Sequence, residues 1–378
     1  MSEFSDYYNQ AFLAAEDKNG SIYEPMNCLT KAAHETRMEL LDKLPLGDLR
    51  DKVVVDFGTG SWGFACIFPR LHECKLAIGI DISEKAVALS SDVSKKGNYS
   101  YGNRYRYYVS DGLSIPLESK TVDIFFAGES IEHIDNTDVF LDEVCRVLKL
   151  EGILILTTPN PNPRFYRAVG LQYAIGPEHT ALMGYEEISS YLQPRFNILS
   201  WQGFNSSIHP DLDSHVTDLA FAKSWASLAE NRPFDACGFV IMARARPNYN
   251  TVRYSRKEHR FGNTEVTSNG IWVEMPLHQG LSAWMGKNEA ELSINFDADQ
   301  IVLLMWMHDW SGIANITINN NEHLVDLYSK FGGFKRLVFK NLKQYGNQTL
   351  TIKATGSKNT LSSDDQVFFF CAASYSPC

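Results

Sequence analysis

The sequence predicts a doubly wound α/β domain with a mostly parallel sheet, followed by an all-β sandwich. Two observations predict the first domain: short apolar runs alternate with helix-like segments, and a glycine-rich turn follows the first run. A third predicts the second domain, because beyond residue 248 helical periodicity disappears and short apolar runs recur between turn signals. We expect an N-terminal helical extension over 1–49, an α/β domain over 50–247 and a sandwich over 248–378.

The composition is that of an ordinary globular protein. The 378 residues are 44% hydrophobic and 21% charged, which suffices for two packed domains. The formal net charge of −10 argues against a protein that binds a nucleic acid backbone. The seven cysteines lack metal or disulfide spacing, and no secretory signal or membrane-spanning run is evident, so we expect a cytoplasmic location.

The N-terminal half has the pattern of a parallel sheet covered by helices on both faces. Residues 1–27 are polar without a long period, and apolar residues recur at helical spacing from Cys28 to Leu44. The expected strands that follow are Val53–Phe57, Leu76–Ile80, Tyr105–Val109, Val122–Ala127 and Ile153–Thr157. Helix-like segments between them lie at 63–72, 84–95 and 137–149.

The pattern changes further along the chain. Phe196–Trp201 and Gly238–Ala245 are typical of strands, and they flank a helix-like segment at 213–229. Short strands alone are then predicted, separated by glycine- and asparagine-rich turns. The expected sandwich strands are Glu291–Phe296, Ile301–Met307, Ala314–Ile318, His323–Tyr328, Leu337–Phe339, Thr349–Ala354 and Val367–Ala372.

A glycine-rich turn directly follows the first apolar run. Gly58, Gly60 and Gly63 have the G-x-G-x-x-G spacing of dinucleotide-binding turns, where glycines let the backbone approach a ligand closely. Asp81 ends the second run, where an acidic side chain accepts hydrogen bonds from the hydroxyls of a bound ribose. The alternative role for Asp81 is to cap a helix that starts at Ser83.

The next two runs distinguish among nucleotide-binding folds. Asp111 ends the third run, and Ser114–Phe126 leads into the fourth. Together with Val55–Gly60 and Gly79–Ser83, these segments closely resemble class I S-adenosylmethionine-dependent methyltransferases. In particular, they resemble the branch that contains ubiquinone-biosynthesis and glycan O-methyltransferases. The resemblance is close over residues 50–160.

The resemblance implies that S-adenosylmethionine lies along the carboxyl ends of the first strands. The glycines would contact its methionine part, Asp81 would hold the ribose, and Asp111 would hold the adenine amino group. The family pattern is Gly-x-Gly-x-Gly, whereas Trp62 precedes Gly63 here, so NAD stays open as the alternative cofactor. The implied cofactor-binding residues are Asp56, Gly58, Gly60, Asp81, Ile82, Asp111, Gly112 and Glu129.

Methyl transfer to a hydroxyl also requires a general base, because a neutral alcohol is a poor nucleophile. Relatives have a Glu-His pair beside the transferred methyl group, so His133 is one candidate, with a structural loop role as the alternative. His179 is the second candidate, and Glu178 would orient it or hold a sugar hydroxyl. Carboxylates and histidines this close in sequence could also bind a metal, which is the alternative role, but their spacing matches no closed site and no metal is predicted. His209 and His215 are expected to be ordinary surface residues.

The predicted sandwich has no evident nucleophile–base constellation. Segments such as Ile316–Asn319, Val325–Ser329 and Leu350–Asn359 resemble β-sandwich modules appended to carbohydrate-active proteins, which implies a glycan ligand. Four tryptophans are either platforms for sugar rings, whose apolar faces pack on aromatic rings, or core residues. They are Trp272, Trp284, Trp306 and Trp310.

These features predict a methyltransferase that modifies a sugar hydroxyl in a surface polysaccharide or its precursor. The second hypothesis is a small-molecule O-methyltransferase of quinone or natural-product type, with the sandwich as an oligomerisation domain. The third is a non-catalytic glycan-binding protein with a degenerate methyltransferase scaffold. The expected partner is therefore a glycan or small-molecule acceptor and not a nucleic acid.

Overall fold

The computed structural model describes residues 3–16, 28–60, 74–96, 104–164, 178–206, 216–277, 281–342 and 346–378. It divides into two compact units. The first comprises Met1–Tyr173 and Leu182–Thr251, and the second comprises Ala174–Ala181 and Val252–Cys378. Across the ranges just given, no helix is both long and apolar enough to cross a membrane.

The first unit is built on one mixed sheet. Its strands are β1 Val53–Phe57, β2 Leu76–Asp81, β3 Tyr105–Val109, β4 Val122–Gly128, β5 Leu148–Pro159, β6 Phe196–Phe204 and β7 Gly238–Ala245. They follow the order β3-β2-β1-β4-β5-β7-β6, in which β1 to β5 are parallel and β7 is antiparallel to both its neighbours. The chain order reverses direction between β1 and β4, which is where open α/β sheets bind ligands beyond the strand ends.

Six described helices accompany this sheet: α1 Glu3–Glu16, α2 Cys28–Asp42, α3 Glu84–Lys96, α4 Thr137–Val147, α5 Tyr185–Leu192 and α6 Leu219–Ser227. Asn136 caps α4 by accepting a hydrogen bond from the Val139 N–H at 3.2 Å. The helix is two residues shorter than predicted, because Leu148 takes an extended backbone and begins β5. The expected helix at 63–72 lies outside the described residues.

A buried arginine fastens α4 to the start of β6. Arg195 is 7% exposed, and its guanidinium contacts Asp142 at 2.6 Å and Asp138 at 3.0 Å. The Tyr249 hydroxyl donates to the same Asp142 carboxylate at 2.6 Å. Because each charge has a partner, the network avoids the large cost of an isolated buried ion.

The second unit is an antiparallel β-structure with two sheets, so the predicted fold class is confirmed. The strands are β8 Tyr254–His259, β9 Val266–Asn269, β10 Trp272–Pro276, β11 Ser282–Gly286, β12 Glu291–Phe296, β13 Gln300–Met307, β14 Gly312–Ile318, β15 Asn321–Asp326, β16 Gly333–Phe339, β17 Gln348–Lys358 and β18 Val367–Pro377. One sheet has the order β10-β11-β18-β13-β16, with β8 also paired to β18, and the other has the order β15-β14-β17-β12-β9. The sequence did not predict the first four strands, which are at most six residues long.

Alternating side chains from both sheets form the core of this unit. Ile294, Leu303 and Ile352 are among the buried residues of one cluster that draws on both sheets. Trp306 is only 8% exposed, so it belongs to the interior and is not a sugar platform. Trp284 is partly exposed and stacks on Phe261 with a centroid distance of 3.9 Å, which occupies one of its faces.

The structure also brings together a serine, a histidine and a glutamate that the sequence did not connect. His259 Nε2 lies 2.8 Å from Ser374 Oγ, and His259 Nδ1 lies 3.2 Å from Glu265 Oε1. This order of contacts is that of a hydrolase triad. However, His259 is fully buried and Ser374 is 5% exposed, so a substrate cannot reach the serine. These three residues therefore have a structural role.

Candidate functional site

The glycine turn after β1 adopts a backbone that other residues tolerate poorly. Gly58 and Gly60 have φ values of +74° and +62°. A Cβ at Gly58 would collide with Ser130 Oγ, whereas no atom of the described residues lies within 4 Å of a Cβ built at Gly60. Among the described residues, the turn is therefore packed closely at Gly58 and not at Gly60.

Asp81 connects this turn to the next strand. Its carboxylate is 7% exposed and accepts hydrogen bonds from the Gly60 N–H and the Ser83 N–H, both at 2.9 Å. Burial raises the pKa of Asp81, and the backbone donors oppose that shift. Ser83 itself caps α3, because its Oγ accepts from the Ala86 N–H at 3.0 Å. Asp81 thus orders both the glycine turn and the start of α3.

Asp56, one of the implied cofactor-binding residues, is fully buried and contacts the glycine turn. Its Oδ2 accepts a hydrogen bond from Thr59 Oγ1 at 3.1 Å, and its Oδ1 has no partner among the described residues. Burial, with the nearby Asp81 charge, raises the pKa of Asp56 to about 8. The side chain is therefore mostly protonated at neutral pH and can donate a hydrogen bond.

Asp111 and Gly112 form the turn after β3. The Asp111 carboxylate accepts from the Leu113 N–H at 3.0 Å, and the Ser110 N–H donates to the Asp81 carbonyl at 2.9 Å. The second of these bonds places the ends of β2 and β3 side by side. Gly112 has a φ of +82°, and a Cβ there would meet the Phe57 ring at 2.6 Å. Close packing therefore requires this glycine.

The carboxyl ends of these strands suit S-adenosylmethionine. Two carboxylates, Asp81 and Asp111, stand at adjacent strand ends, where acceptors for the ribose hydroxyls and the adenine amino group were expected. A glycine such as Gly60 lets a ligand come close to the backbone. Ile82 follows Asp81, and its carbonyl accepts from Ser5 Oγ at 3.2 Å.

Glu129 and Glu132 lie close together after β4. Glu129 has a left-handed backbone (φ +48°), and its carboxylate contacts Arg37 of α2 at 3.2 Å. Glu132, which was not among the predicted site residues, is 1% exposed and accepts from Thr158 Oγ1 at 2.9 Å. Burial, reinforced by the Glu129 charge, raises the pKa of Glu132 well above its usual range.

His133 ends the 3-10 turn Ile131–His133 that follows β4. Its side chain is 23% exposed, and its Nε2 lies 4.0 Å from Glu132 Oε1. Its Nδ1 lies 2.9 Å from the hydroxyl of Tyr8, a residue 125 positions earlier that the sequence did not single out. His133 therefore sits at the carboxyl edge of the sheet with both ring nitrogens near polar atoms.

Glu178 and His179 fall in a different unit from His133. They belong to the short segment Ala174–Ala181, which groups with the second unit. Within it, the Thr180 N–H donates to the Glu178 carbonyl at 3.1 Å, which forms a tight turn. The choice between His133 and His179 as general base stays a prediction. Trp62, His209 and His215 lie outside the described residues.

The sequence around this site matches a known family. Residues 55–156 match the model described as a methyltransferase domain. This segment is a methyltransferase domain. The match begins in β1 and ends in β5, so it contains every residue predicted to bind the cofactor.

Three curated proteins are similar to part of the chain. Malonyl-[acyl-carrier protein] O-methyltransferase of Methylovorus sp. (strain MP688) is 26% identical over 150 residues, 39% of this chain and 49% of that protein. Sarcosine/dimethylglycine N-methyltransferase of Aphanothece halophytica is 26% identical over 159 residues, 41% of this chain and 55% of that protein. A probable S-adenosylmethionine-dependent methyltransferase of Mycobacterium tuberculosis (strain CDC 1551 / Oshkosh) is 28% identical over 135 residues, 36% and 43% of the two lengths.

The chain spans about half the length of the curated relatives it matches. At the level of the methyltransferase domain, the predicted enzyme class and the cofactor S-adenosylmethionine are confirmed. One of these relatives is named as an O-methyltransferase and another as an N-methyltransferase.

Proposed function

We propose that this protein transfers the methyl group of S-adenosylmethionine to a hydroxyl of its acceptor. The observation that carries the proposal is the Asp81 carboxylate, which joins the glycine turn to the start of α3 at the edge where β1 and β2 end. A buried acceptor at this place suits the ribose of a nucleoside cofactor. Asp111 at the end of the neighbouring strand suits the adenine amino group.

The residues of the chain account for the remaining chemistry. When bound, the cofactor supplies an activated methyl group whose carbon–sulfur bond breaks as the carbon–oxygen bond forms. The acceptor hydroxyl must lose its proton in this step, and His133 Nε2 is the proposed proton acceptor. Correct alignment of the acceptor supplies much of the rate, because the displacement is in line.

The proposed acceptor is a sugar hydroxyl in a surface polysaccharide or its precursor. Its support is a groove of about 300 Å³ in the second unit, next to the hairpin turn Asn319–Asn320 between β14 and β15. Amides, an imidazole and an ammonium group line it, and such groups suit a ligand rich in hydroxyls. The polar and aromatic residues of the groove are Asn319, Asn321, His323, Phe339, Lys340 and Asn341.

Two alternatives make different predictions. A small-molecule O-methyltransferase would methylate quinones or phenols and ignore oligosaccharides, with the second unit acting in oligomerisation. A glycan-binding protein with a degenerate scaffold would bind oligosaccharides and no nucleoside cofactor. The cytoplasmic location remains a prediction under all three.

Calorimetric titration with S-adenosylhomocysteine, with NAD as the comparison, tests the cofactor. We expect micromolar affinity for S-adenosylhomocysteine and none for NAD. Asp81→Ala should weaken binding by at least about tenfold, because each hydrogen bond to a charged group contributes about 1.5–3 kcal/mol. Asp92→Ala, at an exposed carboxylate on α3, is the matched control and should bind normally. Binding of NAD in place of S-adenosylhomocysteine would refute the proposed cofactor.

The acceptor is tested by transfer of a radiolabelled methyl group onto oligosaccharides, quinones and phenols. Glycan-array binding of the whole chain tests the groove separately. Asn341→Gly keeps the left-handed backbone (φ +60°) while removing the amide, and Asn288→Gly makes the same change at φ +54° elsewhere in the second unit. We expect only the first variant to lose glycan binding. Transfer to quinones alone would favour the small-molecule alternative.

A further inference from the structure

One face of α1 is attached to the edge of the cofactor site. Ser5, Tyr8 and Asn9 occupy positions i, i+3 and i+4, which lie on the same side of a helix. Ser5 Oγ donates to the Ile82 carbonyl at 3.2 Å. Asn9 Oδ1 accepts from Ser83 Oγ at 2.7 Å and from the Lys85 N–H at 3.2 Å. Two residues of this face therefore fix α1 to the segment that directly follows Asp81.

The third residue of the face reaches His133 instead. The Tyr8 hydroxyl lies 2.9 Å from His133 Nδ1, and the two rings meet edge to face with centroids 5.9 Å apart. On the other side of the imidazole, Nε2 lies 4.0 Å from Glu132 Oε1. One turn of α1 thus bridges the end of β2 and the turn after β4.

This arrangement has a consequence for proton transfer. A neutral imidazole carries its proton on one nitrogen and its lone pair on the other, and the hydrogen bond at one nitrogen decides which. If Nδ1–H donates to the Tyr8 oxygen, the lone pair is on Nε2, where it can take a proton. After the transfer, the imidazolium keeps the same Nδ1–H bond, so the ring does not turn.

We propose that Tyr8 is a positioning residue that holds His133 in the tautomer with a basic Nε2. We further propose that Asn9 makes this positioning depend on the segment beside the cofactor ribose. The inference rests on the proposed function in naming His133 as the base. The opposite tautomer, in which the Tyr8 hydroxyl donates to Nδ1, leaves a proton on Nε2 and excludes that role.

Nitrogen NMR of protein labelled with ¹⁵N-histidine tests the tautomer without any acceptor. The His133 signals are assigned as those lost in His133→Gln. We expect a protonated Nδ1 in the native protein, and a shift of the tautomer ratio in Tyr8→Phe, which keeps the ring and removes the hydroxyl. A protonated Nε2 in the native protein, or an unchanged spectrum in Tyr8→Phe, overturns the proposal.

Asn9→Ala tests the connection to the cofactor edge, because Asn9 is bonded to Ser83 and Lys85. We expect it to move the His133 signals in the same direction as Tyr8→Phe. Unchanged His133 signals in Asn9→Ala overturn the dependence on Asn9. Tyr328→Phe, which removes a hydroxyl in the second unit, is the control and should leave the His133 signals in place.

Kinetics supply an independent readout once a methyl acceptor has been found by the transfer assay. We expect Tyr8→Phe to lower kcat by about fivefold or more, the value of one hydrogen bond, while KM for S-adenosylmethionine changes by less than about twofold. An unchanged kcat overturns the positioning role. If S-adenosylhomocysteine did not bind in the calorimeter, the proposed function would be refuted. The NMR spectra would still show whether Tyr8 sets the tautomer of His133.

Discussion

Replacing Gly112 with alanine tests the packing behind the turn after β3. The glycine has a φ of +82°, and a left-handed backbone costs a residue with a Cβ about 1–2 kcal/mol. The new Cβ would also lie 2.6 Å from Phe57 Cζ and 2.9 Å from Phe140 Cδ2, in rings that are 5% and 0% exposed. Overpacking of this kind costs about 1–3 kcal/mol. We expect Gly112→Ala to lower the free energy of unfolding of the first unit by about 2–5 kcal/mol.

Gly47→Ala separates the two contributions. Gly47 has a φ of +68°, but no atom of the described residues lies within 4 Å of a Cβ built there, so this variant should show the backbone cost alone. Urea unfolding followed by tryptophan fluorescence and circular dichroism measures both variants, with the transition of each unit fitted separately. Equal destabilisation by the two alanines would show that the rings behind Gly112 yield without cost, and the reasoning would fail.

Three further predictions concern buried charges. Asp56→Asn mimics the protonated side chain of Asp56, whose pKa is raised to about 8. The native protein should therefore lose stability relative to this variant as pH rises above the usual pKa of an aspartate. The difference in the free energy of unfolding should stop growing above about pH 8. If the difference in stability between Asp56→Asn and the native protein did not change with pH, the raised pKa of Asp56 would be contradicted. Burial lowers the pKa of His259, so the second unit should lose stability as pH falls below the ordinary histidine value of about 6.5, and His259→Gln should flatten this dependence in thermal unfolding from pH 8 to 5. Arg195→Met leaves the buried Asp142 without its ion pair and should lower the free energy of unfolding by about 3–5 kcal/mol. Arg50→Met, at an exposed ion pair, should lower it much less in the same urea unfolding measurement. Similar costs for these two arginines would mean that solvent reaches Asp142.

Strands β1, β2 and β4, which are almost wholly buried, could be predicted from the sequence to within one residue at each end. The run Val53–Phe57 coincides with β1, because a segment that is apolar apart from Asp56 has no stable exposed arrangement. The start of β5 was predicted less well, since the strand begins at Leu148 and not at Ile153. Polar edge strands have no such requirement. β9, with the sequence Val-Thr-Ser-Asn, is defined by its pairing with β12, and a local pattern does not reveal partners such as Asn269 and Glu291, which are far apart in the sequence.

The candidate site could be predicted only where its residues leave a local pattern in the sequence. Glycines and carboxylates at strand ends carry a local signal, since Gly58, Asp81 and Asp111 each follow an apolar run. Tyr8 carries none, because its significance comes from a contact with His133 across 125 positions. Helix α1 lies in the region expected to be a helical extension, but its bounds were not predicted, since residues 1–27 lack a long apolar period and its observed anchors are tertiary hydrogen bonds.

Strand β18 bears on how the second unit is made in the cell. It is paired with β8, β11 and β13, which come earlier in the chain. Until residues 367–377 have been synthesised, β8 lacks the strand it pairs with, and β11 and β13 each lack one of their two neighbours. Because a chain leaves the ribosome N-terminal end first, β8, β11 and β13 are exposed with unpaired edges until β18 has been made. Ribosome-bound chains stopped before residue 367 should therefore depend on chaperones, and release of the last strand should trigger formation of the sheet in one step.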